Sequence, residues 1–272
     1  MILASKAEIA AHTAVGWWGT ETVNARFRAN AAATPDRLAV ADPPNREEID
    51  GTAPKRLTYR ELQDLSDAIA TGFLDAGLKK GDVVAVQLPN TADLVAVYFA
   101  AWRIGLIVTP FPVQWRAHEL GDVLNFVGAK AAVTARSIRG HDHGAMFAEL
   151  KAKCPALAHV FISGETAWPA ADTKRLDALP QADANEAATI CWTSGTEARP
   201  KGVPRSHNHW MIAGVACADA AQLQPGDAVL NPFPLVNMAA IGGCFMPWLL
   251  TGGTLVQHHP VDLPVCLRQL VG

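Results

Sequence analysis

The sequence predicts an α/β fold in which mostly parallel strands are flanked by helices. Two observations lead to this prediction. Short apolar runs, such as residues 83–88 and 107–110, lack a regular alternation of polar and apolar side chains, so both faces of these strands are expected to be buried. The stretches between such runs have helical length and helical apolar spacing, and strand–helix alternation of this kind is typical of a parallel sheet.

Local signals set the boundaries of the expected elements. The capping box of Thr58 and Glu61 starts a helix that is expected to end near Ala76, just before Gly77. Residues 42–55 and 163–184 are expected to be loops, and residues 1–19 to lie over the surface. The other expected helices span residues 21–32, 91–104, 118–126, 144–153, 206–221, 238–249 and a stretch that begins near 262. The expected strands span residues 38–41, 83–88, 107–110, 131–134, 159–162, 187–192, 228–231 and 254–257.

Composition excludes several classes of protein. Half of the 272 residues are hydrophobic, which predicts a sizeable buried core, and the formal net charge of -3 with no long Lys/Arg run argues against nucleic-acid binding. The longest apolar stretches, 94–113 and 238–256, are interrupted by charge, proline or glycine, so no membrane span is expected. The five scattered cysteines predict neither disulfides nor a zinc site and favour a cytoplasmic location.

The segment 193–203, TSGTEARPKGV, has the composition of an oxyanion-binding loop. Two glycines let the backbone approach a ligand, two hydroxyl side chains can donate hydrogen bonds, and a lysine supplies positive charge. These residues are Gly195, Gly202, Ser194, Thr196 and Lys201. A Walker A motif needs its lysine after the second glycine, whereas Lys201 precedes Gly202. Polyphosphate is the expected ligand, and the alternative is an ordinary surface loop.

This segment resembles the phosphate loop of the AMP-binding, adenylate-forming superfamily, whose usual pattern is T-S-G-T-T-G-x-P-K-G. The resemblance covers nearly the whole chain, because residues 57–62 (LTYREL), 81–90 (GDVVAVQLPN) and 232–242 also resemble segments of that superfamily. It implies that residues 1–272 are the N-terminal portion of the large AMP-binding domain. Segments for adenine and ribose, and a small C-terminal domain with the catalytic lysine, are expected beyond residue 272.

The resemblance also implies a reaction. A carboxylate attacks the α-phosphate of ATP in the presence of Mg²⁺, and CoA then takes the acyl group from acyl-AMP, as in an acyl-CoA synthetase of fatty acid metabolism. By position, the β- and γ-phosphates of ATP would be contacted by Thr193, Ser194, Gly195, Thr196, Lys201 and Gly202. Asn237, where the superfamily usually has histidine, and Met238 would line the acyl pocket. No protein metal site is expected.

Two alternatives stay open. Besides an acyl-CoA synthetase, the protein could be an aryl-acid adenylating enzyme that loads a carrier protein, or a truncated, non-catalytic module that binds nucleotide weakly. Two departures favour the second alternative, since Glu197 stands where the pattern has threonine and Ala198 where it has glycine. A truncated module should expose apolar surface, so self-association into a homo-oligomer is expected. His207 and His209 lie two residues apart on a helix, a spacing that disfavours a shared metal ion.

Overall fold

A computed structural model describes residues 1–193, 200–259 and 262–271. The expected α/β fold is confirmed. Its strands are β1 (Leu38–Ala41), β2 (Arg56–Thr58), β3 (Val83–Gln87), β4 (Ile107–Pro110), β5 (Ala131–Ala135), β6 (Ser137–Ile138), β7 (His141–Asp142), β8 (His159–Ser163), β9 (Ala187–Thr193), β10 (Lys201–Ser206), β11 (Ala228–Asn231) and β12 (Thr254–Gln257).

The helices cover both sheets and include one π-helical turn. They are α1 (Lys6–Ala14), α2 (Val23–Ala33), α3 (Arg46–Asp50), α4 (Tyr59–Asp75), α5 (Ala92–Arg103), α6 (Ala117–Val127), α7 (His143–Lys153), α8 (Thr173–Asp177), α9 (His207–Ala220), α10 (Met238–Ala240), the π-helical turn Ile241–Phe245, α11 (Met246–Thr251) and α12 (Leu263–Val271). In the part of the chain that the structure describes, no helix combines the length and apolar character needed to cross a membrane.

Two sheets form the framework. The larger has the strand order β10-β9-β4-β3-β5-β8 and is parallel except for β10, which runs antiparallel to β9. The smaller has the order β11-β12-β1-β2 and is parallel except for β2. Parallel strands need covering layers on both faces, which the helices supply. The sheets are therefore mixed but mostly parallel, as the sequence predicts.

Helix α5 lies at the centre of the core, where all twelve of its residues are buried. A helix with apolar residues on every side is stable only when protein surrounds it completely. Its aromatic side chains connect neighbouring helices, since Phe99 stacks on Phe27 of α2 at 3.9 Å between ring centroids and lies 5.5 Å from Phe245 of the π-helical turn. These contacts join the helical layers of the protein.

A buried ionic cluster holds the chain between β1 and β2 against the start of α5. Arg46 is 2% exposed and pairs with Asp42, Asp50 and Asp93. Burial opposes its charge, but Asp93 and Asp42 hold the pKa of Arg46 above its ordinary value. Asp42 also accepts a hydrogen bond from the backbone N–H of Ala92 at 2.6 Å, which caps α5. This cluster explains why α3 forms where the sequence predicts only loop.

The sequence prediction is wrong in several further places. Helix α8 lies within residues 163–184, which were expected to be loop. Helix α1 lies within residues 1–19 and has no buried residue, which agrees with the expected position over the surface. The expected helix 238–249 is divided by the π-helical turn, which contains Gly242 and Gly243. Strand β10 lies just before the helix expected at residue 206. Its pairing is not visible locally because Pro204 weakens the strand pattern, and proline is tolerated there because β10 is an edge strand.

Candidate functional site

Strands β9 and β10 form an antiparallel pair that brings the two ends of the predicted phosphate loop together. Thr193 is the register partner of Lys201, and Trp192 is the partner of Gly202. Directly paired residues project their side chains to the same face of a sheet. Thr193, Lys201 and Gly202 are exposed, so a hydroxyl and an ammonium group lie side by side at the end of the pair. Ser194, Gly195, Thr196, Glu197 and Ala198 lie outside the described residues.

Gly202 lies in close contact with its neighbours across the strand pair. A Cβ atom at this position would lie 3.1 Å from Ile190 Cγ2 and 3.3 Å from the ring of Trp192. Such a contact is tighter than normal van der Waals packing, so a larger residue would push the strands apart. The close neighbours of Gly202 in the structure are thus Ile190 and Trp192, and the approach of a ligand to this glycine stays a prediction.

Trp192 fixes the position of β9 against the parallel strands. Its Nε1 donates to Thr109 Oγ1 at 2.8 Å, and Thr109 Oγ1 donates to the carbonyl of Ile190 at 3.0 Å. The indole also stacks on Phe111 at 6.1 Å. These contacts show that the indole of Trp192 packs against the neighbouring strands. Its remaining surface borders an open cavity of about 380 Å³ that is also lined by Asp122, Val123, Phe126 and Pro200.

Two more buried indole groups hold β9 from its other side. Trp102 Nε1 donates to the carbonyl of Ala188 at 2.9 Å, and Trp210 Nε1 donates to Thr189 Oγ1 at 3.0 Å. Burial raises the pKa of Cys191, also on β9, to about 11. Its thiol therefore stays protonated at neutral pH and is not a nucleophile. Ala188, Thr189 and Cys191 of β9 therefore support the site and supply no reactive group to it.

Helix α9 begins directly after β10, close to the start of the helix that the sequence predicts over residues 206–221. Ser206 Oγ accepts from the backbone N–H of His209 at 3.2 Å, and His209 Nδ1 accepts from the N–H of Ser206 at 3.1 Å. His207 is 2% exposed, and burial lowers its pKa to about 4. The His207 ring is thus buried and neutral, and its Nδ1 accepts a hydrogen bond from the backbone N–H of Val23. Within residues 1–193, 200–259 and 262–271, no cluster of three or more His, Cys, Asp or Glu is placed to hold a metal ion.

The expected acyl-pocket residues lie at the start of α10. Asn237 is the N-cap, and its Oδ1 accepts from the backbone N–H of Ala240 at 3.2 Å. Met238 is 46% exposed. A Cβ atom on Gly242 would lie 3.6 Å from the Met238 methyl group and 3.7 Å from the Trp210 ring. Met238, Gly242 and Trp210 therefore pack together, with Trp210 and Gly242 buried and Met238 exposed, while the Asn237 side chain is engaged in capping.

Asn90 connects this segment to the large sheet, a role that sequence reasoning missed. Its Nδ2 donates to the carbonyls of Phe233 and His258, and its Oδ1 accepts from the N–H of Leu235 at 2.9 Å. Tyr98 from α5 donates to the carbonyl of Leu235. The sequence did indicate Asn90, as the last residue of the segment 81–90 that resembles the superfamily, but nothing in the sequence identifies its hydrogen-bond partners.

Comparisons with known proteins agree with this geometry. Residues 27–270 match the family model described as AMP-binding enzyme. The chain is 31% identical over 245 residues to a salicyl-AMP ligase / salicyl-S-ArCP synthetase of Mycobacterium tuberculosis, covering 86% of this chain and 42% of that protein. It is 27% identical to a medium-chain fatty-acid–CoA ligase of Escherichia coli, covering 89% of this chain and 43% of that protein.

A solved structure shows the same architecture. The apo structure of MbtA from Mycobacterium smegmatis superposes with a TM-score of 0.80 at 27% identity, covering 99% of this chain and 50% of that chain. The chain spans less than half the length of the two curated relatives, at 42% and 43%. The activities of these relatives therefore belong to proteins about twice as long as the chain described above.

Proposed function

Because this chain belongs to the AMP-binding enzyme family, we propose that the protein containing it activates a carboxylic acid by adenylation. The carboxylate oxygen attacks the α-phosphorus of ATP, the bond to the β-phosphate oxygen breaks, and acyl-AMP and pyrophosphate form. A thiol then attacks the acyl carbon and releases AMP. The main support is the pairing of Thr193 with Lys201, which places a hydroxyl and a cation together on an exposed end of the sheet.

In this proposal, Lys201 binds the phosphates that leave as pyrophosphate. An exposed ammonium group costs little to keep charged and stabilises the negative charge that accumulates on the departing group. Thr193 and Gly202, with Ser194, Gly195 and Thr196 from the connecting segment, contribute hydroxyl and backbone N–H donors. A Mg²⁺ ion that accompanies ATP would be held mainly by phosphate oxygens and water, which is its usual preference, and would neutralise part of the charge on the phosphates.

The acyl part of the substrate binds at the apolar surface presented by Met238, beneath which Gly242 and Trp210 are buried. This surface carries no ionisable side chain among its three members, which favours an acid with an apolar chain or ring. Asn237, at the edge of the same surface, offers an amide that could only hydrogen-bond and not titrate. We place the carboxylate between this surface and the end of the β9–β10 pair.

The thiol acceptor distinguishes the two candidate enzymes. We propose CoA, as in acyl-CoA synthetases, with carrier-protein loading by an aryl-acid adenylating enzyme as the second candidate. Similarity to the salicyl-AMP ligase at 31% identity favours the second candidate, and similarity to the medium-chain ligase at 27% identity favours the first. Acyl transfer to free CoA, measured as thioester formation, separates them.

Exchange of labelled pyrophosphate into ATP tests the adenylation step. The whole protein, however far it extends beyond these residues, is assayed with alkyl acids such as octanoate and aromatic acids such as salicylate. We expect exchange above the no-acid blank with at least one acid, and a loss of about 100-fold in Lys201→Gln, the size typical for a charge-stabilising donor. Lys151→Gln, an exposed lysine on α7, is the matched control. Absence of exchange with every acid contradicts the proposal.

The 272 residues alone are expected to show no turnover. The adenine, ribose and catalytic-lysine segments implied by the family resemblance are not among them. Exchange by the isolated chain contradicts this expectation and shows that the described residues suffice for adenylation.

A further inference from the structure

Residues 1–23 contact the start of β9 and the start of α9, which directly follows β10, at the end of the β9–β10 pair opposite Thr193 and Lys201. At the start of β9, the N–H of Ala187 donates to the carbonyl of Met1 at 2.8 Å, and Ile2 forms an antiparallel bridge with Glu186. After β10, the N–H of Val23 donates to His207 Nδ1 at 3.4 Å. The stretch 1–23 also precedes residues 27–270, which match the family model.

Asn208 is the centre of this contact. Its Oδ1 accepts from the N–H of Gly19 at 3.0 Å, and its Nδ2 donates to the carbonyl of Gly19 at 3.0 Å and to Asn185 Oδ1 at 3.0 Å. The side chain is 2% exposed. A single buried amide thus joins the N-terminal segment, the residues before β9 and the helix after β10.

Aromatic packing reinforces the same junction. Trp18 is 8% exposed and lies edge-on to His209, with 5.2 Å between ring centroids, and His12 of α1 lies 4.5 Å from Trp18. His209 in turn accepts the N–H of Ser206, the last residue of β10. The N-terminal segment therefore reaches the start of α9, directly after β10, by two routes, one polar through Asn208 and one aromatic through Trp18.

We infer that Asn208 is a positioning residue for phosphate binding, acting through the β9–β10 pair. The strand β10 is an edge strand, held within the sheet by β9 alone, so contacts that fix its last residue and the start of β9 add to the pairing that keeps Lys201 beside Thr193. A donor group fixed in advance binds a phosphate more tightly than one that must be ordered on binding. This inference rests on the proposed function, because it assigns the phosphates of ATP to that end of the pair.

The test compares two asparagine variants in the whole protein. Asn208→Ala removes the junction, whereas Asn30→Ala removes a similar hydrogen bond, from Asn30 Nδ2 to the carbonyl of Leu249 at 2.7 Å, that does not involve β9 or β10. Hydrogen–deuterium exchange measures the backbone amides of β9 and β10, and pyrophosphate exchange gives the KM for MgATP and for the acid. If Asn208→Ala fails to fold, Asn208→Asp, which keeps the acceptor for Gly19, replaces it.

We expect Asn208→Ala to speed amide exchange in β9 and β10 about tenfold and to raise the KM for MgATP about fivefold, since buried groups left without partners cost that order of free energy. The KM for the acid should stay within about twofold, and Asn30→Ala should change neither quantity in this way. Unchanged amide exchange in β9 and β10, or faster exchange with an unchanged KM for MgATP, overturns the inference. If Asn208→Ala speeds amide exchange but the unchanged protein shows no pyrophosphate exchange with any acid, the proposed function is overturned. The structural role of Asn208 in holding the β9–β10 pair would still stand.

Discussion

The buried framework around α5 and the exposed end of the β9–β10 pair are held in opposite ways. Around α5, charged groups are enclosed and paired, as Arg46 is with three aspartates. At the end of the strand pair, Thr193 and Lys201 are exposed to solvent. Enclosed pairs stabilise one conformation, whereas an exposed cation can exchange water for a ligand at little cost. Variants in the two regions should therefore change different measured quantities.

The largest expected effect on stability lies in the framework. Arg46→Met leaves Asp42 and Asp50 enclosed without their cation and Asp93 paired with Lys55 alone, which should lower the free energy of unfolding by about 3–5 kcal/mol. Chemical denaturation measures this change. The matched control is Arg60→Met, which removes the exposed pair with Asp36 and should cost less than about 1 kcal/mol. Equal losses in the free energy of unfolding for the two variants would show that burial does not make the Arg46 ion pairs more important for stability than the exposed Arg60 pair.

A smaller effect is expected where α9 crosses α11. A Cβ atom on Gly214 would lie 2.5 Å from Met246 Cβ and 3.2 Å from the Met246 backbone carbon. Gly214→Ala should therefore destabilise the protein by about 1–3 kcal/mol through overpacking. At Gly243, in the π-helical turn, a Cβ atom meets nothing within 4 Å. Gly243→Ala should leave the thermal midpoint unchanged or raise it. If Gly243→Ala destabilises the protein as much as Gly214→Ala, close packing between α9 and α11 does not explain the effect at Gly214.

The smallest effect is a pH dependence at the base of the strand pair. Burial lowers the pKa of His207 to about 4, below its ordinary value of 6.5, so the unfolded chain takes up the proton first. The stability from the neutral ring is complete above pH 6.5 and is lost as pH falls toward 4. Between pH 7 and 5.5 the loss amounts to about 1 kcal/mol.

Denaturation at several pH values checks this expectation. His207→Gln should remove about 1 kcal/mol of the pH dependence in that window. Burial also lowers the pKa of His259 to about 4, so a His207→Gln and His259→Gln double variant should remove about twice as much. A wild-type stability that stays constant from pH 7 to 5.5 would contradict buried neutral histidines.

Sequence patterns predicted the framework better than the site. Strands such as Leu38–Ala41 and the capping box of Thr58 and Glu61 depend on neighbouring residues, and both were confirmed. Strand β10 was missed because an edge strand with a proline is recognisable only from its pairing with β9. The pairing of Asn208 with Gly19 joins residues 189 positions apart, and Asn90 reaches Phe233 across 143 positions. Such partners follow from the folded arrangement and not from local spacing.

In the phosphate loop, too, features that depend on neighbouring residues were predicted and contacts that depend on the fold were not. The pattern T-S-G-T-E-A-R-P-K-G identified Thr193, Lys201 and Gly202 as candidates, and the strand pairing explains how the first two come to lie side by side. The close contact of Gly202 with Trp192 was not predictable, because it depends on which face of the strand pair the indole occupies. Assignment of these residues to phosphate binding stays a prediction.

Titration of MgATP into the whole protein and its Lys201→Gln variant tests the central claim most directly. Lys201 is exposed, so the variant should keep the wild-type thermal midpoint. Its dissociation constant for MgATP should rise at least about tenfold, because a charge-assisted contact to phosphate is lost. Equal affinities in the two proteins, with both folded, would contradict the assignment of the nucleotide phosphates to the exposed end of the β9–β10 pair.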